Sequence, residues 1–368
     1  MHTILILGGG EIGTSTAKLF SQLAKDDYIV HIADQRVLRD IPSSVQPHCV
    51  DATNKEELTT LCQLTKPDAI VSCLPYFCNK LIADVAVELN AHYFDLTEDV
   101  ETSDYIKEVS KGSDKIFMPQ CGLAPGFISL ITKHLADQFD ELHSIKMRVG
   151  ALPVNPNNEL KYNLTWSTNG LINECGNPCK AIENGEITYL QPLEGYERIV
   201  VDGTEYEAFN TSGGIGTLVD EYVGKVETMN YRTMRYLGHR DLFKFLMFDL
   251  KLNEDRDTFE RILENAIPRT EKDVVIVYAS VTGKIDNQLM EKHYVSKNYG
   301  LTLPNDEKLN AIQATTAGAL CVMVDSVLQL AQVDKWETGF QQVENLPFEL
   351  FISNRFNHSR HGDVYEVA

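Results

Sequence analysis

The chain begins MHTILILGGGEIGTSTAKLF, residues 1–20, and the fold turns on how this stretch is read. Ile4-Leu5-Ile6-Leu7 is a continuous apolar run of the kind that forms a strand buried on both faces. It empties into Gly8-Gly9-Gly10, a fourth glycine follows at 13, and a helical pattern starts at 11. Gly8, Gly10 and Gly13 satisfy G-x-G-x-x-G in the setting that gives the motif meaning: strand, tight turn, helix. Gly8 permits the turn, Gly10 lets a pyrophosphate meet main chain without a Cβ between them, and Gly13 lets the helix sit close to the sheet. Glu11 and Ile12 complete the turn, where the helix start presents N–H groups and partial positive charge to phosphates.

Working outward, the same unit recurs. Short apolar strands are expected at 3–7, 28–33, 47–50, 68–73, 92–95 and 115–118, with amphipathic helices at 11–25, 54–64, 77–89, 100–111 and 124–139. Strands alternating with helices imply a parallel sheet covered on both faces, and six strands in this rhythm predict a doubly wound Rossmann sheet. An acid should close the second strand and accept the ribose hydroxyls. Asp34 stands there, 21 residues after Gly13, and favours NAD. Arg36 keeps NADP open, because a guanidinium two residues on can pair with a 2′-phosphate. Asp51 and Ala52 follow the third strand and would border the adenine. Leu74 and Pro75 follow the fourth and would border the nicotinamide ribose.

After about residue 141 the style changes. The stretches 144–152 and 273–282 are longer and alternate more, and loops rich in Asn, Pro and Gly (153–159, 173–185) separate the elements. That pattern predicts an α+β domain with a mainly antiparallel sheet over 142–307, following a Rossmann domain over 1–141. Helices are expected at 239–250 and 256–265. An apolar helix at about 307–331 should be buried, and the segment 308–368 is a candidate to pack back onto the first domain.

Composition narrows the partners. A chain of 368 residues with 43% hydrophobic residues can bury a full core, and a formal net charge of −20 argues against nucleic acid or an anionic membrane surface as partner. No run approaches the ~20 apolar residues of a membrane span, and Met1 leads straight into a core strand, so a cytoplasmic protein is expected. The eight cysteines are read as reduced, and Cys175-Gly-Asn-Pro-Cys179 stands alone without the further ligands a metal requires, so no metal is expected. An uncovered antiparallel sheet suggests a homodimer. The glycines 213, 214 and 216 lack a strand-turn-helix setting and read as a tight turn.

A dinucleotide domain points to hydride transfer, and the rest of the chain must recognise a small-molecule substrate. Asp95 ends the fifth strand in His92-Tyr-Phe-Asp-Leu-Thr97, and Cys121-Gly-Leu-Ala-Pro-Gly126 follows the sixth. Several stretches carry a resemblance: GGGEIG (8–13), SCLP (72–75), FDLTED (94–99), CGLAPGF (121–127), GALPVNPNNELKYNLTWSTNGLINE (150–174), TSGGIGTL (211–218) and MNYRTMRYLGH (229–239). With these the chain resembles the saccharopine dehydrogenase family, in the branch of saccharopine reductases and lysine 6-dehydrogenases. It departs at Leu237, where many relatives have proline, and at Asn158-Glu159, where a proline-leucine pair is usual.

The resemblance implies NAD(P)-dependent oxidation of an amine, or reduction of an imine, on lysine or a lysine-derived amino acid. A carboxynorspermidine-type reductive amination and a non-catalytic dinucleotide sensor are the alternatives. Hydride leaves the carbon only if the amine is neutral, so a base is needed. His239 titrates in the right range, Lys161, Tyr162 and Asp95 are further acid–base candidates, and each also has a structural reading. Trp166 offers a flat wall for a cationic amine, Cys121 a lining group, and Arg148, Arg232 and Arg235 are candidate carboxylate clamps.

Overall fold

Buried apolar runs do become parallel strands in the computed structural model, which describes residues 1–39, 41–330, 337–359 and 362–365. The chain divides into two units. The first holds Met1–Leu130, Leu301–Leu309 and the described residues between Gln313 and Tyr365. The second holds Ile131–Gly300 with Asn310–Ile312.

In the first unit β1 (His2–Leu7), α1 (Glu11–Leu23), β2 (Tyr28–Asp34), β3 (Gln46–Cys49), α2 (Lys55–Thr65), β4 (Ala69–Ser72), α3 (Asn79–Glu88), β5 (His92–Asp95), α4 (Val100–Val109) and β6 (Ile116–Met118) alternate along the chain. The six strands lie parallel in the order 3-2-1-4-5-6, the Rossmann arrangement. Ile4, Leu5, Ile6 and Leu7 are fully buried, as a strand covered on both faces requires. α2 starts on Asn54, whose side chain accepts from the N–H groups of Glu56 and Glu57. Asp99 caps α4 in the same way through Thr102. α5 (Phe127–Ala136) follows β6.

The second unit is built on a sheet of order β10-β11-β12-β7-β13-β14. Its strands are β7 (Glu141–Pro153), β8 (Cys179–Glu183), β9 (Glu186–Leu190), β10 (Glu197–Val201), β11 (Thr204–Asn210), β12 (Thr228–Tyr236), β13 (Asp273–Ile285) and β14 (Gln288–Asn298). β8 joins β12 and pairs with β9. The sheet is antiparallel except for β12 against β7. One face carries α6 (Thr168–Gly176), α8 (His239–Lys244) and α9 (Arg256–Ala266), whose apolar side chains form a core with Leu160, Tyr162, Leu193 and Phe209. α7 (Leu218–Tyr222) is a single short turn. The other face gathers Leu152, Tyr206, Met234 and Ile276.

Two local expectations change. The stretch 173–185 is not loop: it holds the end of α6 and strand β8, a short strand whose buried apolar residues are Cys179, Ala181 and Ile182. The helix expected at 239–250 keeps α-geometry only to Lys244 and widens into a π-turn over Phe245–Asp249.

Beyond β14, the short strands β15 (Leu301–Thr302) and β16 (Lys308–Leu309) pair, and α10 (Ala311–Leu330) follows. Asp273 starts this helix by accepting from the N–H groups of Ala311 and Ile312, at 2.6 and 3.0 Å. Its length and hydropathy would suit a membrane span, but 83% of that apolar window is buried inside the protein. Asp325 on α10 accepts from Tyr28 Oη, Asn354 and Arg355, which ties the helix to β2 and to the segment near 355. β17 (Gly339–Phe340) adds a seventh parallel strand beside β6. The end of the helix expected to reach 331, and parts of the expected 308–368 segment (331–336, 360–361 and 366–368), lie outside the described residues.

Candidate functional site

The glycine turn has the shape its spacing predicts. Gly8 sits at φ +101°, where a side chain would be strained, and a Cβ there would also press on the Cys73 carbonyl. A Cβ at Gly13 would land 1.9 Å from the Gly8 carbonyl oxygen, so only glycine lets α1 come this close. Gly10 differs: a Cβ there meets nothing within 4 Å. The chain thus keeps bare backbone facing open space at the one position of the motif where a pyrophosphate would approach. Glu11 and Ile12 form the first turn of α1 behind it. The residues present fit a dinucleotide.

Asp34, at the end of β2, is buried and faces this turn. Its Oδ2 accepts from Gly9 N at 2.8 Å, and its Oδ1 from Arg36 N at 2.9 Å and Arg36 Nε at 3.1 Å. Burial alone would raise its pKa, but these bonds hold the carboxyl below the usual carboxylate range. Leu74 lies against the Gly8 position, because β1 and β4 are neighbours. Pro75 precedes a single 3-10 turn, Tyr76–Cys78. Asp51 folds onto its own loop, accepting from Thr53 N and Oγ1, with Ala52 beside it half-buried.

Asp95 proves to be an anchor. It is fully buried and accepts from Tyr93 Oη (2.6 Å), Asn79 Nδ2 (3.0 Å), Thr97 N (2.9 Å) and Gln120 N (3.0 Å). Four donors fill the four acceptor sites of a carboxylate, which leaves none for a substrate. Burial still pushes its pKa up to about 6. The bonds pin the ends of β5 and β6, where Gln120 takes a left-handed φ of +66°. Cys121 is fully buried, its thiol directed at the Met118 carbonyl, and burial holds it well above the ordinary thiol range, so it is packing rather than a reactive group.

In the second unit the three arginines do not form one clamp. Arg148 and Arg232 are register partners on β7 and β12 and share a face of the sheet. Both bind the same carboxylate, that of Glu197, and Arg232 also donates to Asn210. Arg235 is three residues beyond Arg232, so strand alternation turns it to the opposite, helix-covered face. There it meets Glu174 at 3.0 Å and lies 5.1 Å above the Tyr162 ring.

This second face holds the groups that matter most. Tyr162 is 1% exposed and 5.4 Å from the His239 ring, which stacks on Phe243. His239 Nδ1 donates to the Leu160 carbonyl at 2.9 Å, which leaves Nε2 as a bare acceptor. The side-chain atoms His239 Nε2, Tyr162 Oη, Thr165 Oγ1 and Arg235 Nε are all buried without a hydrogen-bond partner of good geometry. Such atoms are rare in a folded interior, and several around one ion pair mark a place where a polar ligand or water belongs. Burial pushes Glu174 up to about 7 against the pull of Arg235. Burial, with the Arg235 charge, draws His239 down to about 3. Trp166 lies half-buried against Gly170, where a Cβ would be 2.4 Å from its indole. Lys161, exposed and at a left-handed φ of +52°, donates to the Leu237 carbonyl at 2.7 Å and so ties this segment to the loop before His239.

Glu174 was not among the residues expected from sequence. The signal was there: it stands three after Leu171 and one before Cys175, inside the apolar stripe of α6. The turn at 213–216 is tight, closed by Gly216 N on the Gly213 carbonyl, with Gly214 flat on the Tyr231 ring. Cys175 and Cys179 are buried thiols that form no disulfide, and among the described residues no group of three or more metal-ligating side chains stands together.

His239 also makes the unit acid-sensitive. Its folded pKa lies below the ordinary 6.5, so its contribution to stability is present above that value and is lost as pH falls from 6.5 toward 3. Replacing it by glutamine, which cannot titrate, should move the acid-unfolding midpoint down by about half a pH unit. Circular dichroism across that range checks this.

The comparisons with known proteins now decide the family. The saccharopine dehydrogenase C-terminal domain model matches residues 122–354, and the saccharopine dehydrogenase NADP binding domain model matches residues 4–115. The chain belongs to the saccharopine dehydrogenase family. Alpha-aminoadipic semialdehyde synthase of Arabidopsis thaliana is 25% identical over 242 residues, which are 61% of this chain and 23% of that protein. Saccharopine dehydrogenase [NADP(+), L-glutamate-forming] of Schizosaccharomyces pombe is 20% identical over 303 residues, 78% of this chain and 66% of that one. The chain therefore spans about a quarter of the plant relative and about two thirds of the fission-yeast one. Among solved structures, apo saccharopine dehydrogenase (L-Glu forming) from Saccharomyces cerevisiae superposes with a TM-score of 0.75 at 16% identity, covering 97% of this chain and 96% of that one. Homospermidine synthase from Legionella pneumophila, in complex with NAD, superposes at 0.66 and 13% identity, covering 95% and 88%. At these identities the structural likeness is one of fold, and the family assignment rests on the two domain models.

Proposed function

We propose that the chain is an NAD(P)-dependent oxidoreductase acting on the CH–NH or CH–NH2 group of lysine or a lysine-derived amino acid. The observation that carries this reading is the glycine turn, in which Gly10 alone of the motif faces open space while Asp34 closes β2 beside it. Membership of the family and the names of its relatives support the amine substrate.

A nicotinamide dinucleotide held by the glycine turn 8–13 and Asp34 would supply the acceptor for the hydride that leaves the carbon bearing the amine. The chain's task is to make the nitrogen lone pair available, which means removing a proton from the ammonium. Glu174 suits that task, because a carboxyl raised to about 7 exchanges its proton near neutral pH. Arg235 keeps the carboxylate oriented, and His239 Nε2, with its lone pair uncommitted, accepts a hydrogen bond from the remaining N–H. Tyr162 Oη can pass a proton on, and Trp166 offers its face to a cation. The buried, aromatic surroundings exclude water that would compete for these bonds.

The test is a panel of lysine, saccharopine and carboxyamines with both oxidised nucleotides, followed by nicotinamide absorbance. Turnover of at least one amine is expected. A chain that binds nucleotide and turns over none is a dinucleotide-binding sensor instead.

A further inference from the structure

Gly238 opens α8 with no side chain of its own to cap it. Glycine suits the position, because the chain leaves β12 and enters the helix through a left-handed φ of +96°. The first N–H groups of a helix have no partner inside it, and a polar side chain at this position normally accepts from one of them. Here the acceptor comes from another strand. Glu207, on β11, is buried, with its Oε2 accepting from Gly238 N at 2.9 Å and its Oε1 from Arg240 N at 2.6 Å. Register explains the reach. Glu207 stands opposite Arg235, so its side chain lies on the helix-covered face, beneath the turn that follows β12.

A helix that needed only a cap had a carboxylate to hand. Asp241 sits at the third helical position, from which an acidic side chain can reach back to the N–H of the capping residue. It turns to solvent instead and pairs with Arg240. The chain places a buried glutamate there, at the cost of desolvating it, and the residue between its two bonds is His239. The peptide joining Leu237 to Gly238 is held at both ends: its carbonyl accepts from Lys161 Nζ at 2.7 Å, and its N–H donates to Glu207. The N–H of Arg240 goes to the same carboxylate. The main chain is thus fixed on both sides of His239, and the ring is fixed by the bond from Nδ1 to the Leu160 carbonyl. With these held, Nε2 has one direction, and it has no partner there.

We propose that Glu207 is the positioning residue for His239, setting through the main chain the direction in which Nε2 meets the substrate nitrogen. This rests on the amine-oxidising reading above, in which Nε2 accepts a hydrogen bond from the remaining N–H, and adds the group that aims it. Glu207 itself touches no reacting atom. A hydrogen bond weakens steeply when donor and acceptor fall out of line, so a small rotation of the ring is felt in the rate.

The experiment uses the purified full chain with Glu207→Gln, alone and combined with His239→Gln. Glutamine keeps the size of the side chain but offers one oxygen and one NH2 group, so one of the two N–H groups faces a donor. Glu207→Asp, a carboxylate one methylene too short to span both, is the second variant should the first fail to fold, and thermal melts verify both. In Glu207→Gln, kcat on the amine that turns over should fall about tenfold or more, as for a misplaced catalytic contact. KM and NADH affinity should stay within about twofold, because Glu174 and Trp166 still hold the amine and the glycine turn still holds the nucleotide. In the His239→Gln background the same substitution should change kcat by less than about twofold, since the group it aims is gone. A second readout needs no turnover. Nitrogen-15 spectra of the histidine rings, with His239→Gln assigning the signal, follow the Nδ1–H that donates to Leu160. Its exchange with water should quicken about tenfold or more in Glu207→Gln, as the held geometry loosens. An equal loss of kcat in both backgrounds, no loss at all, or an unchanged ring proton in a folded variant overturns the proposal. Should the wild type turn over no amine, the amine reading falls, and the ring proton alone decides whether Glu207 positions His239.

Discussion

Replacing Gly10 by valine should abolish dinucleotide binding while leaving the fold intact. The four glycines of the turn are not equivalent probes. At Gly13 any side chain collides with the Gly8 carbonyl 1.9 Å away, so loss of binding there would be inseparable from displacement of α1. Gly8 has the left-handed φ that side chains resist, and Gly9 is already covered by Leu38. Gly10 is free of both constraints: its backbone is extended, at φ −73° and ψ −170°, and its missing Cβ points to open space. A valine is therefore accommodated by the protein and refused by the ligand. Its two methyl groups fill the approach of the pyrophosphate to the N–H groups at the start of α1. Affinity for NADH should fall about a hundredfold or more, a loss of about 3 kcal/mol. The melting temperature of the ligand-free chain should be unchanged. Paired calorimetric titration and thermal melts measure both quantities, and retained affinity in a folded variant would falsify the cofactor site and the function built on it.

The first unit was legible because its rules are local. Strands buried on both faces read as apolar runs, βαβ connections fix their order, and the glycines 8, 10 and 13 serve a turn whose every part lies within six residues. The expected strand at 92–95 coincides with β5. Less of the second unit could be read, since its strands expose one face or an edge. In β9 and β10 several apolar residues point outward, among them Tyr189 at 63% and Val200 at 59% exposure, which blurs the period-2 signal. The site depended on that missing register. Without β12 as a strand, Arg232 and Arg235 look like neighbours; with it, their odd spacing puts them on opposite faces, one bound to Glu197 and the other to Glu174. Asp95 shows a different limit. Its position at a strand end was visible, but its donors come from α3, β5 and the loops after β5 and β6, a set only the folded sheet assembles.

That same buried ion pair yields the second large effect. Arg235→Met keeps the bulk and the apolar stem but leaves Glu174 buried without its cation. Removing one partner of a buried pair costs about 3–5 kcal/mol, because the remaining charge has lost its compensation and cannot reach water. The cost must depend on pH, and the sign is fixed by Glu174. Its folded pKa, about 7, already lies above the ordinary 4.5, so the folded state holds a proton that the unfolded state releases between those values. Stability from this group is therefore greatest below about 4.5 and is lost as pH rises through 7. Without Arg235 the folded pKa rises further and the fall steepens, so urea unfolding should show a large deficit at pH 8 and a much smaller one at pH 5. Adding Glu174→Gln to Arg235→Met removes the titrating charge and should return most of the loss at pH 8. A deficit equal at both pH values, and unrelieved in the double variant, would mean that Arg235 stabilises the unit only through its packing on Tyr162.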